Sequence, residues 1–174
     1  MALKPGVRKL VLTAHVTFSV GWLGAVAGFL ALAVAGLTSK DVGTVRAAYL
    51  AMDLMGWFVL VPLALASLFT GLVQSLGTQW GLFRHYWVVF KLLINLFATI
   101  VLLTYTQTLS SLADAAETTF SSDDLGVLRS PSPVLHAGAA LLLLLVATTL
   151  AVYKPRGLTP YGQRRHEKRR LWQA

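Results

Sequence analysis

The sequence contains no cysteine, and this absence narrows the available chemistry at once. Disulfides, thiolate metal ligands and cysteine nucleophiles are excluded. Acidic residues are also few, since Asp and Glu together number 7. Because Asp53 is the one acid deep within a long apolar stretch, we expect neither a carboxylate-bridged metal centre nor a carboxylate proton relay.

Familiar motifs of soluble enzymes are missing as well. The chain has no glycine-rich phosphate loop, no His-Glu-x-x-His zinc motif and no nucleophile elbow. Hydrolase and kinase functions therefore have no support in the sequence.

Charged residues are scarce relative to apolar ones. They make up 13% of the 174 residues, whereas hydrophobic residues make up 56%. Such a chain has too little polar surface to coat a soluble globule and needs lipid. Stretches of the length that a membrane-spanning helix requires, about 20 residues, lie at 9–37, 45–76, 85–112 and 133–153. We predict an all-α integral membrane four-helix bundle over 1–155 and a solvated basic tail over 156–174.

Basic and acidic residues are distributed unevenly between the connections. Lys4, Arg8 and Lys9 precede the first stretch, and seven Lys or Arg residues follow the fourth. The connection between the third and fourth stretches is acidic, with Asp114, Glu117, Asp123 and Asp124. Because basic residues are retained in the cytoplasm, we predict a multi-pass protein of the cell membrane with both termini cytoplasmic. The net charge of +8 then reflects topology and contact with anionic lipid, and no nucleic acid partner is expected.

Small residues and one proline indicate how the helices pack. In the first helix the small residues recur at steps of three and four, namely Gly21, Gly24, Ala25, Gly28 and Ala31. They allow close packing within the bundle and equally allow a homodimer. Pro62 is expected to bend the second helix and to free the carbonyl near Phe58.

Polar residues within the spans recur at helical spacing. The third helix carries Arg84, Trp87, Lys91, Asn95 and Thr99. The first carries His15, Ser19 and Trp22, and the second carries Asp53, Trp57, Ser67, Gly71 and Gln74. Because an ionisable group in hydrocarbon is costly unless it faces protein or water, these faces are predicted to turn toward one another.

The alternating direction of the helices sorts the polar residues by depth. The cytoplasmic half holds His15, Gln74, Arg84, His85 and Lys91, and the outer half holds Arg46, Asp53, Tyr105 and His136. We predict His15, Lys91 and Arg84 as catalytic residues. The predicted substrate-binding residues are Gln74, His85, Asn95, Trp22 and Trp87. An interfacial belt is the alternative for the aromatic and basic residues near position 85, and the role of the outer group stays open.

The first three helices resemble the HemJ-type protoporphyrinogen oxidases, small helical membrane proteins that bind haem b. The resemblance is carried by His15 with Trp22 and Gly24, by Pro62 with Gly71, and by Trp87 with Lys91 and Leu92. It implies His15 as a haem ligand and Lys91 as a site residue. The sequence departs from the family at Thr104 and Tyr105, where a histidine is expected.

The whole chain is similar to a group of actinobacterial four-span proteins. The stretches GWLGAVAGFLALAVAGLTS, GLVQSLGT, WGLFRHYWV and YKPRG carry this likeness. The group is similar to the membrane diazotase of alazopeptin biosynthesis, which joins nitrite-derived nitrogen to an amino group. The resemblance implies an enzyme of antibiotic biosynthesis that forms an N–N bond from nitrite and a small-molecule substrate.

Three hypotheses follow. The first is a nitrite-dependent diazotase in which Arg84 and Lys91 hold the anion and His15 transfers protons. The second is a haem b redox protein ligated by His15, with His85 or His136 as a second ligand. The third is a non-catalytic membrane subunit whose polar faces serve packing or a partner.

Overall fold

The computed structural model describes residues 3–78, 81–118, 125–126 and 128–171, and these form an all-α four-helix bundle, as predicted. The helices are α1 (Pro5–Thr38), α2 (Val42–Met55), α3 (Val61–Gly77), α4 (Tyr86–Glu117), α5 (Ser132–Tyr153) and α6 (Pro160–Leu171). A π-helical turn, Gly56–Leu60, joins α2 to α3. Four helical stretches are long and apolar enough to cross a membrane: α1, α2 with α3, α4, and α5.

The helix boundaries lie close to the predicted ones, and the differences have local causes. α1 begins at Pro5, because a proline in the first turn lacks only an N–H that has no helical partner anyway. α4 continues past the predicted end at 112 as far as Glu117, since the polar residues beyond the apolar stretch still favour a helix.

The π-helical turn lies where Pro62 was expected to disturb the second span. Proline has no N–H to donate to the carbonyl of Phe58, four residues earlier. The neighbouring N–H of Val61 bonds to the carbonyl of Gly56, one residue further back than in an α-helix. The extra residue in this turn changes the register between α2 and α3.

The spans pack so that α1 and α4 lie diagonally across the bundle. α1 packs against α2, α3 and α5, and α4 packs against the same three helices. Two of the predicted small residues of α1 lie at helix contacts, since a methyl group on Gly21 would lie 3.5 Å from Leu63 and one on Gly28 would lie 3.8 Å from Met55. A methyl group on Gly24 would have no atom within 4 Å. The closest approach is at Gly36, which was not predicted, where a methyl group would lie 3.2 Å from the ring of Tyr49.

The start of α1 and the end of α5 lie at one end of the bundle, here called the terminal end. The N–H of Leu3 donates to the carbonyl of Gly77 at 3.2 Å, which places the start of α1 beside the end of α3. The N–H of Tyr86 donates to the carbonyl of Gly157 at 3.3 Å, which places the start of α4 beside the end of α5. Because the first span starts and the last span ends at the same end, the chain crosses the bundle an even number of times.

At the opposite end, called the distal end, Arg129 fastens the connection before α5 to the last turn of α1. Its guanidinium donates to the carbonyl of Leu37 and, at 2.5 Å, to that of Ser39. These carbonyls belong to the group at a helix C-terminus that has no intrahelical partner, and a cation suits the negative end of the helix dipole. The hydroxyl of Tyr49 donates to the carbonyl of Leu128 nearby. Asp123 and Asp124 of this predicted acidic connection lie outside the described residues.

The first residues of the predicted basic tail dock onto the connection between α3 and α4, so they are not solvated, whereas Arg164 and Arg165 further along are exposed. Leu158 forms an isolated antiparallel bridge with His85. Thr159 donates its N–H to the carbonyl of Arg84 at 3.0 Å and its hydroxyl to the carbonyl of Phe83. The basic helix α6 follows from this docked segment, and its side chains are described as far as Arg165.

Candidate functional site

His15 is held on α1 by the backbone of α3. Its Nδ1 lies 3.1 Å from the carbonyl oxygen of Ser67 and 3.2 Å from the hydroxyl of Thr70. Because a carbonyl only accepts, Nδ1 carries the proton and the neutral ring presents Nε2 as an acceptor. Nε2 makes no hydrogen bond with any described residue, which is the arrangement of an oriented acid or base.

Two further contacts fix the position of this ring. Ser19, one turn along α1, bonds through its hydroxyl to that of Ser67 at 2.8 Å. Gly71 lies against the ring, since a methyl group there would approach Cε1 of His15 to 2.9 Å. A side chain at position 71 would displace the imidazole, so glycine is required by the position of His15.

Lys91 lies in the second turn of α4, and His15 lies in the third turn of α1, which starts at the same end of the bundle. The part of the chain that the structure describes gives the Lys91 ammonium no hydrogen-bond partner. A cation in a membrane-spanning helix is costly without an anion or water. The ammonium is therefore suited to bind an anion in the terminal half of the bundle.

Gln74 adds an unpaired acceptor on the same helix as Ser67 and Gly71. Its Oε1 is buried and has no hydrogen-bond partner within the described residues. Leaving such a group unpaired costs about 1–3 kcal/mol, which favours a donor from a bound molecule at this point. Across the bundle, Asn95 lies one turn beyond Lys91 on α4, and its backbone carbonyl accepts the hydroxyl of Thr99 at 2.7 Å.

The remaining predicted residues of the cytoplasmic group lie at or near the terminal end. Arg84 belongs to the connection before α4, and its aliphatic carbons fold back over Gly81, which has a left-handed φ of 62°. His85 is the first residue before α4, and its ring lies 6.4 Å from that of Trp87, which is buried. These residues lie at the terminal end, in the region here called the mouth of the bundle, and precede Lys91 by four to seven residues.

The predicted single polar face of the second span is divided in two. Asp53 accepts a hydrogen bond from Ser110 of α4 at 2.8 Å, and the indole of Trp57 donates to the same hydroxyl at 3.3 Å. Ser67 and Gly71, in contrast, face His15 of α1. The register change at the π-helical turn separates the two sets. Asp53 is thus part of a tie between α2 and α4.

A second feature, the central pocket, lies between the diagonal helices α1 and α4 and is closed on one side by α5. Its volume is about 330 Å³, and its walls include Trp22, Phe29, Phe97, Tyr105, His136 and Ala140. Of the predicted substrate-binding residues, only Trp22 is among those that line it. The structure therefore separates Trp22 from the polar group around His15.

Sequence reasoning missed Thr70 and Ser132. Thr70 faces His15 only because α1 and α3 pack in one register. Ser132 bonds to the hydroxyl of Tyr105 at 3.1 Å and precedes His136 by one helical turn. That spacing of four is visible in the sequence, but the partner on α4 is not.

Comparison with known proteins adds no family to these observations. No family model, curated protein or solved structure matches the chain.

Proposed function

We propose that this protein is a membrane enzyme that forms an N–N bond, by nitrite-dependent diazotisation of an amino group on an amino-acid-derived substrate. The observation that carries the proposal is the His15–Lys91 pair, a histidine with a fixed tautomer and a lysine in the same half of a membrane-spanning bundle. The resemblance to the diazotase group points to the same chemistry.

The reaction balances without an oxidant or a reductant. An ammonium R₂CH–NH₃⁺ and nitrite give the diazo compound R₂C=N₂ and two molecules of water. One N–O bond of nitrite breaks as water leaves, the amine nitrogen bonds to the nitrosyl nitrogen, and the second oxygen then leaves as water. The protons come from the ammonium and from the carbon that becomes the diazo carbon. The enzyme therefore has to bind an anion, relay protons and exclude competing nucleophiles.

Each of these tasks has a candidate residue. Lys91, with Arg84 at the mouth, supplies positive charge for nitrite. His15 delivers and removes protons through Nε2, because Nδ1 is committed to Ser67. The unpaired Oε1 of Gln74 accepts a hydrogen bond from the substrate ammonium. His85 and Trp87 extend the substrate path toward the terminal end, and Asn95 lies one turn deeper than Lys91 on α4. Trp22, the fifth predicted substrate-binding residue, lines the central pocket and is not part of this path.

The site opens toward the cytoplasm in this proposal. The basic residues near both ends of the chain favour a cytoplasmic position for the terminal end. Substrate enters at the terminal end, beside the α3–α4 connection that carries Arg84. A homodimer through the small-residue face of α1 is compatible with this access, since Gly24 has no atom within 4 Å of a methyl group placed on it.

Membranes containing the full-length protein provide the test. They would be incubated with ¹⁵N-nitrite and a panel of amino acids and amino-acid derivatives, and the products read by mass spectrometry. We expect a product that carries one nitrite-derived nitrogen and loses dinitrogen on acidification. Membranes lacking the protein are the control, and equal product in both would contradict the proposal.

Haem b binding is the second candidate, favoured by the orientation of His15. A metal-ligating histidine ordinarily donates its other N–H to a carbonyl, as His15 does to Ser67. The residues do not supply a common site, however, because His136 lines the central pocket and neither His15 nor His85 does. Among the described residues no group of three His, Asp or Glu side chains can hold a metal ion together. A Soret band in the purified protein would support haem over diazotisation.

A non-catalytic membrane subunit is the third candidate. Its polar faces would serve packing alone, as the Asp53–Ser110–Trp57 tie does. The cost of an unpaired Gln74 oxygen argues against packing as the whole explanation.

A further inference from the structure

The central pocket has a composition suited to a neutral molecule from the bilayer. Its walls are mostly aliphatic, and aromatic rings come from Trp22 and Phe29 of α1 and from Phe97 and Tyr105 of α4. No Lys, Arg, Asp or Glu is among the lining residues. A charged head group would lose its hydration there without a counter-ion, so an anionic or cationic ligand is disfavoured.

A small polar network lies at one end of the pocket. The rings of Tyr105 and His136 stack with centroids 4.0 Å apart and planes 16° apart. Nδ1 of His136 lies 2.9 Å from the carbonyl of Ser132, so it carries the proton. The hydroxyls of Tyr105 and Ser132 bond to each other at 3.1 Å. In the neutral His136 ring Nε2 is therefore an acceptor, and it makes no hydrogen bond with any described residue.

The pocket opens sideways rather than toward either end of the bundle. Phe97 on α4 is 59% exposed, and His136 and Ala139 on α5 are also exposed. All of them lie within membrane-spanning helices, so this surface meets hydrocarbon. A molecule dissolved in the bilayer reaches the pocket between α4 and α5 without crossing water.

We propose that the central pocket binds a neutral alcohol with a long apolar body, taken up laterally from the membrane, whose hydroxyl donates to Nε2 of His136. The apolar body lies along the walls between α1 and α4. A volume of about 330 Å³ falls within the range of small-molecule sites, roughly 300–1,000 Å³. This site is separate from the His15–Lys91 group and does not depend on diazotisation.

The test uses full-length protein in lipid nanodiscs and two photoreactive probes, a diazirine-bearing long-chain alcohol and the matched alkane without the hydroxyl. We expect the alcohol to label peptides of α4 and α5 roughly three- to tenfold more efficiently than the alkane, the value of one hydrogen bond in an apolar site. His136→Phe preserves the stacked ring and should abolish that preference. Lys91→Met should leave it unchanged, which separates this site from the proposed enzyme function.

Filling the pocket provides a second measurement. Ala140→Leu should lower labelling by both probes, and Leu142→Phe, which adds similar bulk on the exposed face of α5, should not. Equal labelling of the wild type by both probes, a preference that survives His136→Phe, or unchanged labelling in Ala140→Leu would each overturn the proposal. Should Ala140→Leu fail to fold, the comparison of the wild type with His136→Phe decides alone.

Discussion

Lys91 and His15 are the two side chains on which the proposed reaction depends most. Replacing His15 removes the ring whose tautomer is fixed by Ser67, and replacing Lys91 removes the cation that lies within α4. We expect Lys91→Met and His15→Ala to lower diazo formation by about 100-fold or more, the usual range for a lost acid or base, while protein levels in the membrane stay normal. Tyr161→Ala in α6 is the control, since that ring is half exposed and contacts Arg165.

Lys91→Arg separates the two roles that a lysine can have. Arginine keeps the positive charge but does not give up its proton. Partial activity in Lys91→Arg would assign the lysine to anion binding, and complete loss would assign it to proton transfer. Wild-type activity in both Lys91→Met and His15→Ala would contradict the proposed site and favour the non-catalytic subunit.

Gly71 tests whether the position of the His15 ring matters. A methyl group in Gly71→Ala would lie 2.9 Å from Cε1 of His15, so the ring must move and give up its bond to Ser67. Helix propensity favours alanine by about 1 kcal/mol, so we expect folding to survive while diazo formation falls as in His15→Ala. Gly138→Ala, where no atom lies within 4 Å, should change neither. Undiminished activity in Gly71→Ala would show that the ring need not be fixed.

Arg129 determines how firmly the distal end of α1 is held. Its guanidinium reaches two carbonyls at once, and a lysine ammonium lacks that fork. We expect Arg129→Lys to lower stability by about 1–3 kcal/mol, seen as a reduced melting temperature in detergent. Arg165→Lys, exposed in α6, should leave the melting temperature unchanged. An equal effect of the two substitutions would show that Arg129 contributes only charge.

The start of α2 is stabilised by Asp41 in a pH-dependent way. Its carboxylate accepts the N–H and the hydroxyl of Thr44, both at 2.7 Å, and the Thr44 hydroxyl and amide hold the pKa of Asp41 below its ordinary value. A lowered folded-state pKa means that the stabilisation is complete above the unfolded-state pKa, about 4. The stabilisation is then lost as the pH falls through the folded-state pKa of Asp41.

Thermal unfolding of the wild type and Asp41→Ala, measured as a function of pH, checks this expectation. The melting temperature of the wild type should exceed that of Asp41→Ala at neutral pH. This difference should disappear under strongly acidic conditions. Thr44→Val keeps the backbone N–H hydrogen bond to Asp41 and loses the hydroxyl hydrogen bond. In the Thr44→Val background, Asp41→Ala should therefore cause a smaller pH-dependent change in melting temperature. A difference independent of pH would assign the effect to helix propensity instead.

The orientation of the whole molecule in the membrane is predicted from its basic residues and can be tested directly. We expect alkaline phosphatase fused after Ala174 to be inactive, because the basic residues predict that the terminal end faces the cytoplasm. The same enzyme inserted within 114–124 should be active outside. Activity of the C-terminal fusion would contradict the predicted orientation.

Sequence reasoning predicted the spans because hydropathy is a local property, and it predicted the inward faces of α1 and α4 because each is a regular helix. It did not predict that Asp53 and Ser67 face different partners, since one extra residue in the π-helical turn shifts the register between them. The Arg129 contacts and the Tyr105–Ser132–His136 network join residues far apart in the chain. No periodic pattern encodes such pairings, so they required the folded structure.

The docked C-terminal segment also sets an order in which the molecule can be completed during synthesis. The hydroxyl of Thr159 and the carbonyl of Phe83 that accepts it are 76 residues apart, and all of α5 lies between them. The ribosome therefore releases α3, α4 and the connection between them well before their backbone partners exist. The mouth that carries Arg84 and His85 acquires its final hydrogen bonds only after the last span has entered the bilayer. A chain truncated after α5, and so lacking residues 157–162, would hold all four spans without the hydrogen bonds that complete the connection between α3 and α4.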